Sequence, residues 1–148
     1  MSLRVDRMQH PKHLDAISQA LAGADLPPNF RRIRLELARE KSHPEGSPAI
    51  GYLFAAPLSA DGRIDADLWH RYHGYCRVVR FRPDAPDKIG HLVRKPGGNW
   101  AFRYDVHGGE GEETGYHFGS EQFVPGEYVS IREADGLHAF RVVSVEPV

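Results

Sequence analysis

The 148-residue chain has one cysteine, no long apolar run, almost no net charge and none of the short motifs that announce catalysis. Each absence removes a class of protein. A single thiol, Cys76, cannot form an intramolecular disulfide or a cysteine-based zinc site, and it fits a reducing compartment. The longest apolar stretch, Leu53-Phe54-Ala55-Ala56-Pro57-Leu58, has six residues and a proline, where a membrane-spanning helix needs about 20. The opening Met1-Ser2-Leu3-Arg4-Val5-Asp6-Arg7 lacks the apolar core of a secretory signal. The expected setting is therefore the cytoplasm, with no membrane partner. A net charge of −1 and a pI near 6.8 disfavour nucleic acid, whose binders usually carry a strongly basic face.

Catalytic and cofactor signatures are equally scarce. There is no His-x-His, no H-E-x-x-H, no cysteine/histidine finger spacing and no G-x-S-x-G elbow. Gly97-Gly98 and Gly108-Gly109 fall in hairpin loops rather than between a strand and a helix, so they read as turn glycines and not as a phosphate cradle. No stretch matches a family motif.

What the sequence does contain is alternation. Ile33, Leu35 and Leu37 alternate with Arg32, Arg34 and Glu36, and Trp100, Phe102 and Tyr104 alternate with Ala101 and Arg103. A period of two marks a half-buried strand. Strand-like runs lie near 31–37, 50–56, 76–82, 89–94, 99–106, 115–119, 127–132 and 138–145, separated by linkers rich in glycine, proline and aspartate. Two short helices interrupt the pattern. Leu14, Ile17 and Leu21 form an apolar stripe that Gly23 should stop, and Asp65 should cap a helix through Tyr72. The fold expected is mainly β: an antiparallel barrel of about eight strands, with a two-sheet sandwich as the alternative. Residues 1–30 read as an N-terminal arm and short helix packing on the domain, the first 11 residues being loosely docked. Residues 31–148 read as a single antiparallel β domain.

Charge is unevenly spread. Residues 31–103 hold 14 Lys/Arg against 8 Asp/Glu, and residues 104–148 hold 2 against 9. Interleaved strands would pair these charges and erase the asymmetry.

Among nine histidines, those on strands carry most information. His91 shares its strand face with Ile89 and Val93 and is expected to point inward, as is His138, which shares a face with Phe140 and Val142. An inward imidazole must satisfy its N–H in the core or in a pocket. His43, in the proline-bearing loop, sits beside Glu45, and the two suit acid/base exchange. The candidate ligand-binding residues are therefore His91, His138, His43 and Glu45. No metal site and no cofactor are predicted, although inward histidines joined by His43 would suit a divalent metal. His70 and His73, three apart on the short helix, read as a solvated face, and Cys76 as a buried, inert thiol.

Arg77, Arg80, Arg82, Arg94, Lys95 and Arg103 fall on consecutive strands among aromatics, the composition of a single-strand binder. The aromatics alternate too strictly to be surface stacking platforms, so the arginines are expected on the outer face beside acidic neighbours. The reading that results is a small β-barrel module that binds a small molecule or a protein partner without catalysis. Its rivals are a metal-assisted enzyme with a histidine-lined barrel interior and a single-stranded nucleic-acid binder.

Overall fold

A computed structural model describes residues 17–19, 21–105 and 112–148. Eight strands pair antiparallel in chain order: β1 (Phe30–Leu37), β2 (Ser47–Pro57), β3 (Arg77–Arg82), β4 (Ala85–Arg94), β5 (Trp100–Tyr104), β6 (Glu112–Tyr116), β7 (Tyr128–Glu133) and β8 (Gly136–Pro147). The last returns to the first, from Arg31 opposite Pro147 to Leu37 opposite Phe140, and closes a barrel. Closure leaves no edge strand and excludes the sandwich.

Alternation aims the side chains. Ile33, Leu35, Tyr52, Phe54, Leu92, Phe102 and Phe140 are fully or almost fully buried. An eight-stranded barrel has an interior just wide enough for side chains to fill, and here the filling is aromatic. The Phe102 ring lies 5.2 Å from both Tyr52 and Phe54, and Tyr52 lies 5.1 Å from Phe140. As expected, Trp100, Phe102 and Tyr104 are buried while Arg103 is exposed.

In an up-and-down barrel the connections alternate between the two ends. The long ones, β2–β3 and β6–β7, close one end. Asp65 caps helix α1 (Ala66–Tyr72) by accepting from the Leu68 N–H at 3.1 Å. Trp69 of that helix meets Trp100 edge to face at 5.2 Å and donates to the Leu92 carbonyl. From the β6–β7 connection, Phe118 and Phe123 pack on Phe102 and Phe54. Towards the N-terminus, residues 17–19 and 21 are helical, Ile17 is fully buried in the core cluster, and Gly23 has the left-handed φ of 73° expected of a stop. The opposite end carries the β1–β2, β3–β4 and β7–β8 connections and, among the described residues, is open. No helix among the described residues is long and apolar enough to cross a membrane.

Three expectations need correction. First, β6 occupies Glu112–Tyr116 rather than 115–119. Phe118 leaves the strand and folds back over Gly115, where a Cβ would lie only 2.4 Å from its ring, so this buried aromatic belongs to the plug. Second, His91 points outward. Gly90 and Leu92 hold the buried positions on β4, and Ile89, His91 and Val93 share the outer face. An inward glycine leaves Leu92 as the only apolar marker of the true face. Third, Arg80 and Arg82 point inward: Arg80 lies opposite Tyr52, and Val78 opposite Phe54, on the inner face. On β3 the outward Val79 and Phe81 are just as buried, because the Arg34 guanidinium lies 4.5 Å over the Phe81 ring and shields it. The expected arm at residues 1–11 and the turn glycines Gly108-Gly109 lie outside the described residues.

Candidate functional site

At the open end the barrel's inner face changes from aromatic to ionisable. Cross-strand register sets the succession. Tyr52 lies opposite Arg80, Arg80 opposite Lys88, Glu113 opposite Phe102, and Ile131 opposite His138, with Glu133 two residues further along β7. The basic stretch of the chain thus meets the acidic stretch across the lumen.

Glu113 is the centre of the layer. One carboxylate oxygen accepts from the Tyr52 hydroxyl at 2.8 Å and the Tyr104 hydroxyl at 2.6 Å, and the other accepts from Arg80 Nε at 3.1 Å. Glu133 accepts from Arg82 and also approaches the Tyr52 hydroxyl. A phenol has one proton, so Tyr52 serves one carboxylate at a time. Burial first pushes both tyrosines above the ordinary phenol value; Glu113 and Glu133 then add to it for Tyr52, and the Tyr52 phenol and Glu113 for Tyr104. They remain protonated donors. Arg82 commits both terminal nitrogens, since Nη1 also donates to the Phe81 carbonyl at 2.9 Å. Arg80 is not: neither terminal nitrogen makes a hydrogen bond among the described residues, and the nearest Glu133 oxygen is 3.9 Å away.

The rim above this layer is built on His138. Its Nδ1 lies 2.8 Å from Glu40 and its Nε2 2.7 Å from Asp135, so the imidazole ties the β1–β2 connection to the β7–β8 turn. The Glu40 hydrogen bond, followed by that of Asp135, raises the His138 pKa, while the His138 hydrogen bond lowers those of both carboxylates. The histidine contribution is fully present below its ordinary value of 6.5 and fades as pH rises through the raised one. The carboxylate contributions are present above their ordinary values of 4.5 and 3.8 and fade as pH falls through the lowered ones. The clasp should therefore stabilise most between about pH 5 and 6. Urea unfolding of the protein and of His138→Gln across pH 4–9 should show a gap that is widest there and narrows towards pH 9. A gap independent of pH would contradict the clasp.

Layer and rim enclose an open cavity of about 580 Å³. His43 and His138 line it; Glu45 and His91 do not. Glu45 is exposed, and the partner of His43 is Glu40, because paired backbone hydrogen bonds of 3.0 Å between residues 40 and 43 form a tight reversal. His91 sits on the outer wall. An arginine can only donate, so Arg77 Nη1 at 2.8 Å makes His91 Nε2 the acceptor and places the ring proton on Nδ1, facing Asp105. Burial, and then Arg77, lowers its pKa. With 31% of this side chain exposed, His91→Ala should cost less than about 1 kcal/mol in urea unfolding. A loss above about 2 would return it to the core.

Chemically, the mouth suits recognition better than reaction. Ser42 Oγ lies 3.2 Å from His43 Nδ1, but it donates to Glu40 at 2.9 Å, and Glu40 approaches the same imidazole nitrogen. Serine and acid crowd one nitrogen, so no serine–histidine–acid relay forms. Burial raises the Cys76 thiol to about 12, which removes it as a nucleophile. Ligand atoms of Glu133, Asp135 and His138 lie within 4.8 Å of one another. For a cation the set is poor, because the Arg82 guanidinium occupies Glu133 and its charge opposes a metal there.

Comparison of the chain with family models, with curated proteins and with solved structures finds no match. The site therefore stands on its own geometry. Sequence reasoning missed Glu113, Glu133, Arg80 and Tyr104 as site residues. Glu113 was hidden in an acidic, glycine-rich run that reads as a loop, and Glu133 in a turn. The available signal was Tyr52 and Tyr104, two hydroxyl-bearing residues on inward strand faces, each needing a buried partner.

Proposed function

We propose that this barrel binds a small polar molecule in its charged mouth and does not transform it. The observation that carries the reading is the 580 Å³ cavity at one end of a closed barrel, floored by inward ionisable side chains that hold one another in place. Aromatic packing at the other end makes the scaffold rigid, and a site held by strands keeps its geometry better than one held by loops. Hydrogen-bonding groups that converge in a cavity fix a ligand's orientation. Against catalysis stand the two phenols kept protonated, the buried thiol and the interrupted serine–histidine arrangement. The free thiol accords with a reducing, cytoplasmic setting.

The test is a ¹H–¹⁵N NMR screen of small polar molecules against the protein and against Ala85→Trp. Ala85 lines the cavity and is exposed, so an indole there should fill the mouth with little effect on folding. Binders should shift the amides of Lys88, Asp135 and His138, and Ala85→Trp should abolish those shifts. Shifts confined to the outer faces of the strands, or unchanged in Ala85→Trp, would reject the mouth as the site.

A further inference from the structure

We infer that the ligand of this mouth is dipolar: a small molecule carrying a carboxylate at one end and an ammonium at the other. The inference rests on reading the mouth as a binding site and names what that site selects.

Among the described residues, four cationic groups line the cavity when His138 is protonated, against five carboxylates. Taken whole, the mouth is close to neutral and slightly acidic, so it offers a simple anion no long-range attraction. The charges are nonetheless largely sorted, Asp84 of the β3–β4 turn and His138 on β8 being the exceptions. Arg80 and Lys88 are cross-strand neighbours on β3 and β4. Asp135 and Glu40 belong to the β7–β8 turn and the β1–β2 connection. In a ring of eight strands, β3 and β7 lie four apart, as do β4 and β8, so a basic wall faces an acidic one across the opening.

Unspent hydrogen-bonding capacity on the two walls points the same way. Arg80 pairs with Glu113 through Nε and faces Glu133 from Nη2 at 3.9 Å, but among the described residues neither terminal nitrogen makes a hydrogen bond, so both can still donate. Lys88 has no ion-pair partner among the described residues. Its ammonium lies 5.9 Å from the centre of the Tyr104 ring. These two cations, side by side, leave a place for a carboxylate, which a guanidinium fork suits well. Opposite them, Asp135 is 74% exposed and only one of its oxygens is engaged, by His138. The acidic wall can therefore take a further donor, and an ammonium supplies three. An anion alone would leave the acidic wall unserved, and a cation alone would face Arg80 and Lys88. A molecule with both charges, several bonds apart, satisfies both walls at once.

A charge-matched series of six-carbon probes tests this by NMR titration at pH 7 and low salt, where screening is weak. The probes are 6-aminohexanoate, hexanoate and hexylamine. The zwitterion should bind at least tenfold more tightly than either single-charge analogue. Lys88→Gln should remove its advantage over hexylamine, and Asp135→Asn its advantage over hexanoate. Both positions are exposed, so neither change threatens the fold. Hexanoate binding as tightly as 6-aminohexanoate would make the mouth a simple anion site. Hexylamine doing so would make it a cation site. Either result overturns the dipolar ligand while leaving the mouth as a binding site. If no probe and no compound of the wider polar screen shifts the mouth amides, the binding reading itself fails.

Discussion

Replacing Glu113 with alanine should destabilise the protein by about 3 kcal/mol, the lower end of the range for breaking a buried ion pair by removing one partner. The change strips three hydrogen bonds at once and leaves the Tyr52 hydroxyl, the Tyr104 hydroxyl and Arg80 Nε to find new partners. The lower end applies because 16% of the Arg80 side chain is exposed, and water entering from the mouth can hydrate it. Glu113→Gln keeps a carbonyl oxygen for the phenols but turns an amide towards the guanidinium, so its loss should fall between alanine and wild type. In the double variant Arg80→Met, Glu113→Leu, part of the stability should return, since the ion pair is removed as a unit while the buried Tyr104 hydroxyl still lacks its acceptor. Urea unfolding of the four proteins measures all of this. A loss below about 1 kcal/mol for Glu113→Ala would mean that the layer is a loose, solvated arrangement and not the floor of a site.

Phe102→Ala should cost about 3–5 kcal/mol. Its ring meets Tyr52, Phe54 and Phe118 at centroid distances of 5.2, 5.2 and 5.9 Å, so its removal opens a void between the charged layer and the aromatic plug. The closed barrel limits how far neighbouring strands can collapse into that void, which keeps the cost high. Phe102→Leu should lose roughly half as much, because it retains apolar volume. Equal stability of Phe102→Ala and wild type in urea or thermal unfolding would place this ring outside the core. The two sets of variants also separate layer from plug: Glu113 variants should alter ligand binding more than their stability loss explains, while Phe102→Leu should leave the mouth able to bind.

The strands and the interior face of β5 were legible in the chain because a period of two survives wherever large apolar residues hold one face. It failed on two strands for opposite reasons. On β4 the inward position at Gly90 has no side chain to mark it, so Ile89 and Val93 suggested the wrong face for His91. On β3 both faces carry buried apolar residues, and the inward arginines looked like surface charge. Glu113 and Glu133 were illegible because a carboxylate beside glycines or a turn reads as solvated chain, and nothing local announces that two phenols and two guanidiniums will surround the two of them.

By itself, then, the sequence determined a mainly β chain of eight antiparallel strands with two short helices, the aromatic filling of the interior, the cap at Asp65 and the burial of Cys76. All of these follow from local periodicity and from turn chemistry between neighbours in the chain. Only the tertiary structure decided that β8 pairs with β1, that one end is plugged by Phe118 and Phe123, and that Arg80 and Arg82 turn inward to Glu113 and Glu133. Those pairings join residues 33 and 51 positions apart and depend on closure of the ring. The free energy of an inward charge is set by what stands across the lumen, and strand alternation carries no information about that distance.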